Sequence, residues 1–201
     1  MSETKPDPRR ASVERKTKET DVRVQLALDG SGAYDVGTGI AFLDHMLESF
    51  AKHSLFDLHL RSRGDLEVDT HHTVEDVGIT LGQALREALG SARGIRRFGS
   101  CVLPMAEAKV EVAVDVSNRP YLVYRVELPN DRIGAFDVSL VEDFLYALSQ
   151  HAGLDLHVEQ RYGRSPHHVV EAVFKGLARA LRAAVEVDPR VADVPSVKGT
   201  L

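Results

Sequence analysis

The sequence predicts an α+β fold that is internally duplicated: two similar halves, each with a β-sheet faced by two helices. Laid without gaps, residues 42–60 match 140–158 at Leu47/Leu145, His53/His151, Asp57/Asp155, Leu58/Leu156 and His59/His157. Laid two residues closer, 69–89 against 165–185 keeps ten of 21 positions, including His71-His72/His167-His168 and Glu75/Glu171. The two-residue shift falls where a loop belongs, as expected of a duplication. Both halves also run through strands, helix, strand and helix in the same order. Two sheets faced by helices, related by a pseudo-twofold axis, are the natural outcome. The expected organisation is a polar arm (1–10), a first half (11–92), a second half (93–187) and an irregular tail (188–201).

Each element has its own justification. Residues 1–20 carry Lys5, Arg9, Arg10, Arg15, Lys16 and Lys18 against four acids and read as a solvated arm. Val22, Val24, Leu26 and Leu28 alternate as a strand that ends in Asp29-Gly30. Phe42, Leu43, Met46, Leu47 and Phe50 have helical spacing over 42–53. Residues 55–60 alternate as a strand, and a short strand is expected at 66–68. A helix over 72–89 turns Val74, Val77, Leu81, Ala84, Leu85 and Leu89 inward and stops at Gly90. In the second half, strands are expected at 109–117, 121–128 and 154–159, with helices at 139–153 and 167–187. Pro189, Pro195 and Gly199 make the tail irregular.

Composition narrows the function. The chain has 201 residues, 43% hydrophobic and 27% charged, with a net charge of −5. A chain of this length buries roughly 70% of its unfolded surface and needs no disulfide to hold a core. No apolar run approaches the ~20 residues of a spanning helix, so no membrane partner is expected. The acidic balance gives no reason to expect nucleic acid. Cys101 is the single cysteine, which excludes a thiolate metal cluster and fits a reducing cytoplasm. There is neither a P-loop nor a GxGxxG, so no nucleotide cofactor is implied, and without a GxSxG a serine-nucleophile site is unsupported.

The chemistry sits in the repeat. Each half carries His-His-x-x-Glu at a helix start: His71, His72, Glu75, then His167, His168, Glu171. Positions three or four apart share a helix face, whereas adjacent ones diverge by about 100°. Two metals, each taking one histidine from each pair, are therefore expected. The repeat adds His45 and its mate Asp143. One predicted site is His45, His72, His167 and Glu171; its pseudo-mate is Asp143, His168, His71 and Glu75. Histidine with carboxylate suits Mn²⁺, Fe²⁺ or Zn²⁺, and octahedral N/O coordination leans towards manganese. Asp44 and Glu142 read as solvated helix-start acids favoured by the dipole, and His59 and His157 as structural strand residues.

Six segments in order, 42–46 (FLDHM), 69–76 (DTHHTVED), 94–99 (GIRRFG), 115–120 (DVSNRP), 167–175 (HHVVEAVFK) and 195–199 (PSVKG), resemble the imidazoleglycerol-phosphate dehydratases of histidine biosynthesis. The resemblance runs from about residue 10 to 201. It implies loss of water from imidazole glycerol phosphate to give imidazole acetol phosphate. It further implies two Mn²⁺ per active site, a homo-oligomer of 24 subunits, and ligands shared between neighbouring subunits. Glu19 is implied as the general base and substrate contact, with Glu171 and Glu75 as relays if metal does not occupy them. Arg97, Arg119, Lys175, Ser196 and Lys198 match phosphate-contacting positions, which brings the tail into the site. Two positions depart from the family pattern: Val197 stands where threonine is usual, and Asp143 where His or Glu is. The ligands alone would also allow a dinuclear hydrolase acting on a small phosphorylated substrate, but distal cations argue that phosphate binds away from the metals.

Overall fold

The computed structural model describes residues 9–128 and 132–200; most of the polar arm lies outside them. The first half comprises β1 (Arg10–Lys16), β2 (Thr20–Ala27), β3 (Tyr34–Gly37), α1 (Ala41–Ser54), β4 (Asp57–Gly64) and α2 (His71–Leu89). The second comprises β5 (Phe98–Met105), β6 (Ala108–Val116), β7 (Tyr121–Arg125), the short β8 (Arg132–Ile133) and β9 (Phe136–Asp137), α3 (Leu140–Ala152), β10 (Leu154–Tyr162) and α4 (Pro166–Val185). The sheets have orders β1-β2-β4-β3 and β5-β6-β10-β7, each with one parallel pair, β3–β4 and β7–β10. The duplication extends to topology and strand direction.

The helices lie between the sheets and join the halves crosswise. The first sheet packs on α1 and α2, the second on α3 and α4, while α2 packs on α3 and α1 on α4. Small residues permit the close helix approach: a Cβ on Gly78 would meet the Phe144 carbonyl oxygen at 2.8 Å, and one on Gly82 the Leu148 carbonyl oxygen at 2.8 Å. One core results, in which Leu47, Leu81, Leu145 and Leu177 are all buried.

Three edge strands depart from the sequence reading. Residues 10–16 form β1 instead of a solvated arm, because alternate residues turn inward. Arg15 is satisfied there: its Nε donates to Asp76 Oδ1 at 2.9 Å, and buried Asp76 also accepts from the Thr20 hydroxyl. Residues 66–68 form a turn, and the strand beside β4 is β3. β5 carries no strand signal in the sequence because Gly99, Ser100 and Pro104 break its pattern; Gly99 is needed because a Cβ would sit 2.0 Å from the Ala180 carbonyl oxygen of α4. His59 and His157 face outward beside Asp35 and Asp155. Asp44 is half-buried, and its Oδ1 accepts from the Thr38 amide and hydroxyl at 2.7 and 2.6 Å.

Candidate metal and substrate site

The crosswise helix pairing brings together residues that are distant in sequence. His45 lies one turn into α1, and His167 and Glu171 occupy one face of α4. Their ligand atoms all lie within 4.8 Å of one another. His167 Nε2 is 3.1 Å and His45 Nε2 3.8 Å from Glu171 Oε2. The Phe42 and His167 rings meet edge to face, with centroids 5.4 Å apart. Glu171 is 7% exposed. Burial pushes its pKa up, but a hydrogen bond from Lys175, whose Nζ is 2.7 Å from Oε1, and the charges of Lys175, His45 and His167 win, holding it below the ordinary value. Two imidazoles and an ionised carboxylate converging on one point suit a divalent cation of the Mn²⁺, Fe²⁺ or Zn²⁺ class.

The pseudo-symmetric place, between α2 and α3, holds His71, Glu75 and Asp143. Here the donors do not converge: Glu75 Oε2 faces His71 Nε2 at 3.9 Å, and Asp143 Oδ2 faces Nδ1 of the same ring at 3.8 Å.

His72 and His168 join neither set within the chain. Each ring stands nearly perpendicular to that of its neighbour, with centroids 6.2 and 6.1 Å apart. The helical divergence that lets one histidine of a pair face the partner helix sends the other towards a hairpin. His72 Nδ1 is 3.0 Å from Asp65 Oδ2 and 4.0 Å from Glu19 Oε2. A hydrogen bond to Asp65 raises its pKa, helped by the charge of Glu19. His168 Nδ1 is 2.6 Å from Glu107 Oε2. Glu107 is lowered to about 2, first by the Ser165 amide and then by His168.

The phosphate candidates divide. Arg97, Arg119, Ser196 and Lys198 line one cavity of 720 Å³ together with Ser117 and Asn118. Arg97 has a positive φ of 70° and is the inward-turned member of the Arg93, Arg96, Arg97 cluster. Its Nε and Nη2 donate to Asp115 at 2.6 and 3.0 Å, and Nη1 donates to the Pro195 carbonyl at 3.0 Å, tying the tail to β6. Asp115 offsets its charge, so among the described residues Arg119 and Lys198 supply the cations of this cavity that make no ion pair. Lys175 is not among the lining residues and lies on Glu171 instead.

The family-model comparison matches residues 38–181 to imidazoleglycerol-phosphate dehydratase. The chain belongs to the imidazoleglycerol-phosphate dehydratase family. It is 56% identical over 194 residues to the enzyme of Ruegeria pomeroyi, spanning 96% of this chain and 100% of that one. To the Geobacillus enzyme it is 53% identical, spanning 96% and 99%. Among solved structures, the Pyrococcus furiosus protein superposes with a TM-score of 0.82 at 40% identity, covering 94% of this chain and 100% of the other. The Staphylococcus aureus enzyme gives 0.81 at 34% identity, covering 88% and 98%. Membership makes the chain a hydro-lyase of histidine biosynthesis. No helix among the described residues is long and apolar enough to cross a membrane.

Sequence reasoning missed Asp65, Glu107 and Asp115. Asp65 and Glu107 stand in no motif, and Asp115 opens the 115–120 segment without its spacing giving it a role; each acts through a partner brought near by folding.

Proposed function

We propose that this chain catalyses manganese-dependent loss of water from imidazole glycerol phosphate, giving imidazole acetol phosphate, at sites completed by other copies of the chain. The observation that carries the reading is the separation of two binding functions. A convergent His45, His167, Glu171 set suits a metal that takes an imidazole nitrogen, and a distinct cationic cavity at Arg119 and Lys198 suits a phosphate. A substrate with imidazole at one end and phosphate at the other needs both.

The chemical difficulty is that the proton to be lost sits on a carbon with no adjacent carbonyl. Two Mn²⁺ ions, when bound, would stabilise the deprotonated imidazole ring and so favour departure of the hydroxyl from the ring-attached carbon. The chain's residues do the rest. His45, His167 and Glu171 would hold one ion, and His71, Glu75 and Asp143 offer donors for the other. Arg119, Lys198 and the Ser196 hydroxyl fix the phosphate. Glu19 Oε2, exposed at the β1–β2 tip, accepts the proton from the neighbouring carbon, and the resulting enol becomes the ketone. His72 and His168, turned away from both sets, are donors for sites on neighbouring subunits. That arrangement supports an obligate homo-oligomer, of 24 subunits by family resemblance.

The test is an assay of metal-stripped protein with imidazole glycerol phosphate, following imidazole acetol phosphate with and without added Mn²⁺. Product only on restoring manganese supports the reading. Metal uptake without product overturns the reaction and favours a metal hydrolase.

A further inference from the structure

The duplication places Glu19 and Glu107 at matching points: each is the last residue of a hairpin tip, directly ahead of β2 and β6. Each faces the second histidine of its half, yet at different distances. Glu19 Oε2 is 4.0 Å from His72 Nδ1, whereas Glu107 Oε2 is 2.6 Å from His168 Nδ1. The loop that follows explains the difference. After Gly64 comes Asp65, which takes His72 Nδ1 at 3.0 Å. At the matching place Arg164 follows Gly163; the two glycines correspond because a Cβ on either would strike the residue after the histidine pair, Thr73 or Val169. The second half thus has no acid in that loop, and Glu107 does the work of Asp65.

The Glu107 carboxylate and the Asp65 backbone are each held independently of the histidine. Glu107 Oε1 accepts the Arg164 and Ser165 amides at 3.2 and 2.8 Å. The Asp65 amide donates to the Glu19 carbonyl at 3.1 Å, and its carbonyl accepts the Val68 amide at 2.8 Å. Asp65 Oδ1 is buried with no hydrogen-bond partner, which leaves the His72 contact as the bond its side chain makes among the described residues. An ionised carboxylate can only accept, so a neutral ring facing it carries its proton on Nδ1 and keeps the Nε2 lone pair.

We propose that Asp65 and Glu107 are positioning residues that hold the Nδ1–H of His72 and His168 so that Nε2 is the nitrogen offered to metal, and that Asp65, by taking His72, keeps Glu19 uncommitted. The inference rests on the reading of His72 and His168 as metal ligands. Carboxylates in this position orient a ligating ring and raise its basicity, and their loss typically weakens metal binding about 10- to 100-fold. The duplicated glutamates have diverged: one anchors a ligand, the other is free to move a proton.

The test is Mn²⁺ titration of the full-length assembly at fixed pH, followed by the electron paramagnetic resonance of free Mn²⁺, with the melting midpoint of metal-free protein measured alongside. D65N and E107Q should keep the number of sites per chain and the metal-free midpoint but bind Mn²⁺ about tenfold or more weakly. In D65A, Glu19 can swing onto His72, so D65A/E19Q should bind more weakly than D65A, while E19Q alone binds as wild type; this non-additivity is a coupling that a merely structural role would not produce. H72A separates the two levels of the argument. If H72A binds Mn²⁺ as wild type, the ligand reading fails. If H72A loses a site while D65N, E107Q and D65A/E19Q keep wild-type affinity, the positioning roles are overturned and the ligand reading stands. Should D65A not fold, the near-isosteric D65N decides.

Discussion

One turn apart on α4, Glu171 divides its two oxygens between different duties: Oε1 takes the Lys175 ammonium at 2.7 Å, and Oε2 faces His167 at 3.1 Å. Lys175 therefore acts within this chain on a metal-ligand candidate, not on the cavity that holds Arg119 and Lys198. Lys175→Met leaves burial, which pushes the Glu171 pKa up, without its largest opponent. A proton then competes better with metal at Glu171. The variant is expected to bind Mn²⁺ about tenfold more weakly than wild type at pH 5.5, yet as tightly or more tightly at pH 8, where the lysine no longer competes with the ion. Isothermal titration at the two pH values checks this; parallel pH profiles would show that Lys175 does not set the charge of Glu171.

Glu19 is half-exposed and makes no short side-chain bond among the described residues; the one histidine or cationic nitrogen within 4.0 Å of its carboxylate among them is His72 Nδ1, at 4.0 Å. That freedom suits a base that must meet substrate. Glu19→Gln is expected to lower kcat about 10²- to 10⁴-fold while Mn²⁺ binding and phosphate inhibition stay at wild-type levels. Turnover within a few-fold of wild type would remove Glu19 from the reaction.

The parts of the fold that were legible in the sequence are those written in local periodicity or in the repeat. α1 to α4 and the central strands β2, β4 and β10 carry apolar patterns, β6 is marked by its β-branched residues, and the repeat alone pairs His45 with Asp143. Three of the four edge strands of the four-stranded sheets, β1, β3 and β5, were hidden for physical reasons. In β1 the inward Arg15 looks like surface charge until Asp76 neutralises it. β3 has only four residues, and β5 gives up pattern at Gly99 for close approach to α4. At the site, spacing gave the two faces of each histidine pair but not which face meets which helix. The α1–α4 and α2–α3 pairings decide that, and they depend on tertiary packing. Asp65, Glu107 and Asp115 were illegible because a carboxylate that positions another side chain needs no sequence spacing at all.

The α2–α3 contact that brings Asp143 beside His71 depends on the absence of a Cβ at Gly82. An added methyl would meet the Leu148 carbonyl oxygen at 2.8 Å, the His151 Cβ at 2.9 Å and the Ala152 amide nitrogen at 3.1 Å, two of them backbone atoms that cannot rotate away. Alanine gains about 1 kcal/mol in helix propensity, but overpacking costs typically about 1–3 kcal/mol. Gly82→Ala is expected to be destabilising by about 1–2 kcal/mol in urea titration of the metal-free protein, and to weaken metal binding at His71 because the helices must separate. A stability gain would mean that the helices part without strain.

His53 and His151 match in the duplication and occupy the last turns of α1 and α3. Burial depresses both pKa values below the ordinary 6.5, aided by Lys175 and Arg179 at His53 and by Arg15 at His151, against opposing pulls from Glu171 and Glu75. The helix C-terminal dipole would favour the charged ring, so burial and the neighbouring cations outweigh it. Below the ordinary histidine value the unfolded chain therefore binds more protons than the folded one, and stability falls as pH drops through that window. His72, whose pKa is raised by Asp65, acts in the opposite sense, so the total slope is a difference between groups. Substituting both His53 and His151 with glutamine isolates their share. The urea midpoint of the double variant is expected to fall less between pH 7.5 and pH 5.5 than that of wild type. Equal slopes would show that neither ring is held neutral by the fold.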